Sequence, residues 1–507
     1  MKITTTINRN MFKEYLPSKM ALSLQAEVKR SIKSEDLVWG DNDPPRLTEL
    51  ALRVIASRFA SSKILDELNC ADKHFVLEIL PTNLPLRLMV EQLDDGIYWK
   101  RRVCDRWKDR TNHVEDYGFN WKRMYMERHV QELVESFTPE GFDIDRVNEM
   151  CRLASDYVFK LDLRQLKIIQ QVQEEEDLFI APECFDHIDL SPIISGLKNL
   201  TELHIEFGLK HIGSNYKKSL FEMSNEDCKN IGEGVSRAEN LKVLHIHQSL
   251  IDDSKVMSLL TSMVGNTSLK KFEITNCLIS DNGALAIAKY LRGRSNLEEL
   301  NLSNNKIGPL GIQSLAYVLT QEDTTPIKTL NLKFNSFGHD GFEFLASALI
   351  RDIPKVENLN LSCCNLDEES GILLGEMMKR NNVIRELVLS CNRFGEKGGR
   401  AIESGMEENK TITHLDLRMT EIPEENMFSI SRNLHFNRIR AKKGEKGVLK
   451  EMQLIEERLR QEQFEEEIVV VREESIVSRP QTIRSDEQKS QTDQSVTATT
   501  EEQHTQQ

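Results

Sequence analysis

Apolar residues recur through the middle of the chain on a fixed plan. Successive segments read LKKFEITNCLIS, LEELNLSNNKIG, IKTLNLKFNSFG, VENLNLSCCNLD, IRELVLSCNRFG and ITHLDLRMTEIP. Aligned on Phe272, Leu300, Leu330, Leu359, Leu387 and Leu415, they step by 28, 30, 29, 28 and 28 residues. Leu244 stands 28 residues before Phe272, and Leu203 stands 41 before Leu244, so an insertion is expected around Lys210 to Glu222. Self-similarity at this period marks a stack of supersecondary units that bury their apolar faces on one another.

Each unit divides into two halves. Alternation such as that of Leu300 and Leu302 predicts a short strand with one buried face. The ninth position of the unit holds Cys277, Asn305, Asn335, Cys364 and Asn392, with Ser249 and Thr420 at the ends of the array. A side chain there is expected to turn inward and bond backbone groups that a tight bend leaves unpaired. Eleven residues after each anchor come Gly283, Gly311, Gly341, Ser370 and Gly398. Next stand Ile287, Leu315, Leu345, Leu374 and Ile402, and one turn later Leu291, Leu319, Leu349, Met378 and Met406. That spacing predicts a helix with one apolar face. The small residues Ala288, Ala316, Ala346 and Gly375 would let the helix lie close to its strand.

A strand and a full helix in one such period resemble the long, ribonuclease-inhibitor class of leucine-rich repeat. The expected fold is therefore an α/β solenoid over residues 183–430, a horseshoe with strands inside, preceded by a small, mainly helical domain. Strand residues pointing away from the core would line the concave face. From these the expected partner-binding set is His204, His245, His247, Asn301, Asn331, Lys333, Asn360, Asp416 and Arg418. The face is polar, mixed in sign and poor in the aromatic anchors typical of binding hot spots.

The flanks change character. After an N-terminal extension (1–43), residues 44–182 read as a helical domain. PPRLTELALRVIASRF places Leu47, Leu50, Val54, Ile55 and Phe59 near one face, behind Pro44 and Pro45. Trp99, Trp107, Trp121, Tyr125, His129 and Leu133 follow in two further helical stretches. These aromatics read as core, with a contact patch built on Lys100, Arg101, Arg102 and Arg106 as the other possibility. Residues 431–475 are a helical segment, in which Leu449, Met452, Ile455 and Leu459 form a stripe suited to docking rather than to a long coiled coil. The last stretch, 476–507, is rich in Gln, Ser and Thr and is expected to be disordered.

Charge and chemistry then narrow the function. A net charge of -15 argues against a nucleic-acid or anionic-membrane binder, since both need a basic face. No run of about 18 apolar residues is present to span a membrane. The N-terminus has no apolar h-region, so a secretory signal is not expected. Nine scattered cysteines without a CxxC pair fit a reducing, cytosolic setting. Neither phosphate-loop, dinucleotide, HExxH nor GxSxG motifs occur. His204, His245 and His247, with Glu206, could form a zinc-type set only if the folded chain converged them. Cys363-Cys364 is explained by repeat position. No arginine stands at an early strand-to-helix loop, where a GTPase activator of this repeat class would need one. No catalytic residue, metal or cofactor is expected.

The blocks PPRLTELALRVIASRF, LPLRLMVEQLDDGIYWKRRVCDRW and NWKRMYMERHVQELVESF, followed by this repeat class, resemble the dynein regulatory complex subunit 5 family, also called the T-complex-associated testis-expressed protein 1 family. The resemblance covers roughly residues 40 to 430, and the tryptophan-bearing blocks carry it. It implies a non-catalytic structural subunit of the nexin-dynein regulatory complex of motile cilia and flagella. Implied partners are other subunits of that complex on the axonemal doublet, in a hetero-oligomeric assembly that helps control dynein-driven sliding. The implied place is the cytoskeleton of the axoneme. A second reading comes from the Leu-Pro start and late Cys-x-x-Trp of LPTNLPLRLMVEQL...YWKRRVCDRW: an F-box-like substrate adaptor of a ubiquitin ligase.

Overall fold

The computed structural model describes residues 45–59, 65–108, 111–137, 142–167, 186–208, 221–293, 296–322, 326–351 and 353–477, with side chains in the last helix followed to 461 except Leu459. The expected N-terminal extension and the tail from 478 lie outside the described residues. So does most of the expected insertion, at 209–220. Two compact units emerge, Met1–Ile430 and Ser431–Gln507.

The first unit opens with helices α1 (Leu47–Ser57), α2 (Cys70–Ile79), α3 (Leu86–Gln92), α4 (Gly96–Arg106), α5 (Trp121–Ser136) and α6 (Ile144–Ala154). Side-chain caps set several starts: Asn69 on α2, Asp95 on α4, Asn120 on α5 and Asp143 on α6 each accept a backbone N–H of the first turn. The core reading of the aromatics holds for Trp99, Trp107 and Tyr125, which are buried together with Tyr98, whereas Trp121, His129 and Leu133 are half-buried. Of the basic residues among them Arg102 is buried in that core and Arg101 half-buried, whereas Lys100 and Arg106 are exposed. Arg102 donates to the Tyr98 hydroxyl and Leu84 O, Arg101 to Leu77 O and Leu80 O, and Arg106 to the Tyr125 hydroxyl. The expected face of α1 needs correction. Of that face Phe59 is buried and Ile55 half-buried as expected, but Leu47, Leu50 and Val54 are exposed, and Leu52 and Ala56 are buried instead. The helix is apolar on two sides, and the side it buries carries Leu52 and Ala56.

The solenoid follows as alternating strands and helices: β1 (Lys160–Leu163), α7 (Ser191–Gly196), β2 (Glu202–Glu206), α8 (Asn225–Arg237), β3 (Val243–His247), α9 (Asp253–Ser262), β4 (Lys271–Thr275), α10 (Asp281–Leu291) and β5 (Glu299–Asn301). Then come α11 (Pro309–Leu319), β6 (Thr329–Asn331), α12 (Gly338–Leu349), β7 (Asn358–Asn360), α13 (Glu368–Arg380), β8 (Glu386–Val388), α14 (Gly395–Glu408) and β9 (His414–Asp416). Among the described residues the strands form one nine-stranded parallel sheet in chain order, β1 to β9. Register follows the expected anchors: Leu203 faces Leu244, Leu244 faces Phe272, and so on to Leu415. The leucine-rich-repeat solenoid is thus the fold, with its core between the sheet and a layer of consecutively packed helices.

The sheet begins earlier than residue 183. Leu161 and Leu163 are buried and alternate with Lys160 and Asp162, and Leu161 pairs in register with Leu203. The segment between β1 and β2 is too long to fit the 28-residue period, which hides this strand from a search by repeats. The small-residue series also acts differently from expectation. Gly375 abuts Ala401 of the next helix, and a Cβ on Gly371 would lie 2.7 Å from the Gly398 Cα. In this pair of repeats, small residues bring helix α13 onto helix α14.

The final helix, α15 (Glu424–Val477), runs from the end of the first unit through the second and breaks at Gly444, where φ is 68°. His435 Nε2 and Glu451 Oε1 lie 3.7 Å apart. Sixteen residues of straight helix would separate them by about 24 Å, so the chain doubles back at Gly444, whose left-handed φ suits glycine. Leu449 and Met452, members of the stripe expected to dock, are exposed.

Candidate partner-binding surface

Beneath the exposed strand face, the ninth-position side chains hold the bends together as expected. Asn335 Nδ2 donates to Leu302 O and Leu332 O, both at 2.9 Å, and its Oδ1 accepts from Ile307 N. Asn305 and Asn392 repeat the pattern. Cys364 fills the same slot, its Sγ donating to Leu332 O at 3.3 Å. Ser249 and Thr420 close the series at the ends, through His247 O and Leu417 O. A second asparagine series went unrecognised in the sequence. Asn266, Asn381 and Asn409, six residues before their anchors, tie helix ends together through Val235 O, Leu349 O and Met378 O.

These ladders fix the outward strand residues in rows. At one end His204, His245 and His247 do converge, with ring centroids 5.4 and 5.6 Å apart. Among the described residues, however, no group of three or more His, Cys, Asp or Glu is placed to hold a metal ion. Two of the rings bond to other groups: His245 Nε2 and His247 Nδ1 both lie within 3.0 Å of Thr275 Oγ1, and Asn276 Nδ2 lies 3.1 Å from His247 Nε2. Burial holds the His204 imidazole below its usual range, helped by Lys160. Burial does the same to His245, with Glu273 opposing and the neighbouring histidines assisting. Both rings are therefore biased toward the neutral form.

In the middle of the sheet Asn301, Asn331 and Asn360 lie side by side on β5, β6 and β7. Each uses its Oδ1 to accept the backbone N–H two residues on, from Ser303, Lys333 and Ser362, all at 3.1 Å. Asn301 Nδ2 donates to Glu273, whereas the Nδ2 groups of Asn331 and Asn360 have no protein acceptor among the described residues. Lys333 lies over the Phe334 ring, 4.8 Å from its centroid. At the far end Arg418 grips Asp416 through two bonds of 2.9 and 2.7 Å, which pull the Asp416 carboxyl below its usual range. The expected site residues thus fall into three groups along the sheet.

One row was missed. Gln248, Asn276, Asn304, Phe334, Cys363, Cys391 and Met419, just past the strands, all adopt a left-handed φ between 51° and 60°. The signal was present as the residue preceding each ninth position, but the side chains there share no chemistry. Beside β1, a polar cleft of about 990 Å³ shares Lys160, Asp162, Arg164 and Glu202 with the strand face. Its charges are largely neutralised locally, Arg123 by Glu127 and Arg164 by Asp162.

Comparison with known proteins adds the following. The Leucine Rich repeat family pattern matches residues 265–288, 295–316 and 380–402. The chain is 33% identical over 254 residues to dynein regulatory complex subunit 5 of Mus musculus, covering 48% of this chain and 51% of that protein. The protein of the same name from Homo sapiens is 30% identical over 254 residues, covering 48% and 50%. That from Chlamydomonas reinhardtii is 28% identical over 213 residues, covering 41% and 49%. The chain spans about half the length of the curated relatives it matches. The expected resemblance to dynein regulatory complex subunit 5 is borne out over about half of this chain.

Proposed function

We propose that this chain is a non-catalytic structural subunit of the dynein regulatory complex in the axoneme of motile cilia and flagella. It holds other subunits of that complex through the exposed strand face of its solenoid and so helps regulate dynein-driven motility. The similarity to proteins named dynein regulatory complex subunit 5 carries this reading. The fold supplies a means: a continuous sheet of nine strands among the described residues, whose outward rows are polar. The charge of -15 fits protein partners better than nucleic acid or an anionic membrane. The ubiquitin-ligase adaptor reading has no support among the named relatives.

Fractionation tests it. The tagged full chain, expressed in motile ciliated cells, should stay with demembranated axonemes through salt extraction. Cross-linking mass spectrometry should then join its strand-face residues to other subunits of the complex. Release with the detergent-soluble fraction, or cross-links only to cullin-type ligase subunits, would overturn the proposal.

A further inference from the structure

We propose that the strip running from Lys333 to Met419 is a docking groove for one kind of element: an acidic amphipathic α-helix of a partner subunit. The inference rests on the reading of the strand face as the partner surface, and specifies which part of it engages what.

Three observations carry it. The first is charge. Among the described residues no carboxylate pairs with Lys333, whereas Arg418 is neutralised by Asp416 and Arg393 lies 3.7 Å from Glu421. Beside Lys333 stand the Nδ2 groups of Asn331 and Asn360, without a protein acceptor among the described residues, while each Oδ1 already accepts a backbone N–H. A patch that offers an ammonium and two N–H donors suits a carboxylate.

The second is apolar exposure in register. Phe334 is 48% exposed and Met419 80% exposed, with Cys363 half-buried and Cys391 exposed between them. Cys391 Sγ and Met419 Sδ are 3.8 Å apart, so the row is continuous at that end. Bulky residues in the left-handed region are uncommon and cost energy. Here the repeat geometry imposes that backbone and turns apolar side chains outward.

The third is spacing. Neighbouring strands repeat at about 4.8 Å, close to the roughly 5.4 Å rise of one helical turn and far from the roughly 6.7 Å between same-side residues of an extended strand. A helix lying along the solenoid axis therefore places one apolar side chain per turn on each of Phe334, Cys363, Cys391 and Met419. Strand addition is disfavoured for another reason. The backbone N–H groups of Phe334, Cys363 and Cys391 are already bonded to Ser362, Ser390 and Arg418 carbonyls. Recognition falls to side chains. The flank of the helix facing the strands carries the Asp or Glu that meets Lys333.

The test uses the full chain in ciliated cells, with a photoreactive phenylalanine analogue at Phe334 or Met419 in one pair of variants and at His204 in a control. The expected products from Phe334 and Met419 join a subunit of the complex at a helical segment. That segment has apolar residues at i, i+4 and i+7 and an acidic flank. Lys333→Glu should lower their yield by roughly tenfold while Lys333→Arg keeps it, with thermal unfolding of both variants unchanged. Failure to cross-link at either position, capture of a second copy of this chain, capture of a basic or extended segment, or indifference to Lys333→Glu overturns the helix-docking proposal. If the His204 control still captures a complex subunit, the strand-face reading survives that failure. If no strand-face position captures one, both fall.

Discussion

An asparagine at the ninth position of a repeat does more than a surface asparagine of identical type. Asn335 is fully buried and makes two strong donor bonds, whereas Asn331 is on the outward row and closes only a local turn. Asn335→Ala should lower unfolding free energy by about 2 kcal/mol, the range for a buried polar partner lost, and Asn331→Ala by under about 0.5 kcal/mol. Urea denaturation of the two variants checks this. His129 supplies a pH-dependent case. Burial, with Arg106 and Arg102, holds its imidazole down from 6.5 to about 4. The unfolded chain then takes up the proton first, so stability present above pH 6.5 falls as the pH drops toward 4 and levels off below. Partial solvation limits the effect to about 2 kcal/mol. His129→Gln should lose that difference between the urea midpoints at neutral and mildly acidic pH.

Among elements, α5 has the most specific duty. Its Glu127 accepts the Phe159 and Lys160 N–H groups at 3.0 and 3.1 Å, and its Glu135 accepts that of Arg164 at 3.0 Å. Eight helical residues span about 12 Å and four strand residues about 13 Å, so one helix laid along β1 satisfies both ends of the open sheet edge. Burial pushes the Glu127 carboxyl above its usual range, with Arg123 and the two backbone donors opposing. The sheet is thereby protected from edge-to-edge pairing. Glu127→Ala plus Glu135→Ala should expose that edge, and hydrogen exchange should speed first at β1 and β2, with β7 to β9 spared. The α13–α14 contact makes a second element-scale prediction. A methyl on Gly371 meets backbone rather than a flexible side chain, so Gly371→Ala should cost about 1–3 kcal/mol by overpacking, read from its thermal midpoint.

At the scale of the whole molecule, stability is shared between neighbours, since each repeat touches chiefly the next. Local damage then unzips a segment of the array rather than the entire chain, so the α5 and α13 variants should differ in where protection is lost, not only in how much. The same arrangement makes the strand face an extended surface, with the histidine group, the donor patch and the Asp416–Arg418 pair at separate stations along it.

The sequence by itself determined the repeat, its strand register from Leu203 to Leu415, the buried asparagine slot and the apolar helix faces. Each of these is dictated by a period that recurs until chance is excluded, and by burial that tolerates few residue types. Tertiary structure alone decided what depends on meeting distant partners once. It recruited Leu161 and Leu163 into the sheet, buried Leu52 rather than Leu47, and set two glutamates of α5 against a strand edge. It also sorted the polar outward residues: Arg418 neutralised by Asp416, His245 and His247 bonded to Thr275, and Lys333 without a carboxylate among the described residues. A side chain's type says which bonds it can make, but which of them remain open for a partner depends on what the folded chain has already placed within about 3 Å of it.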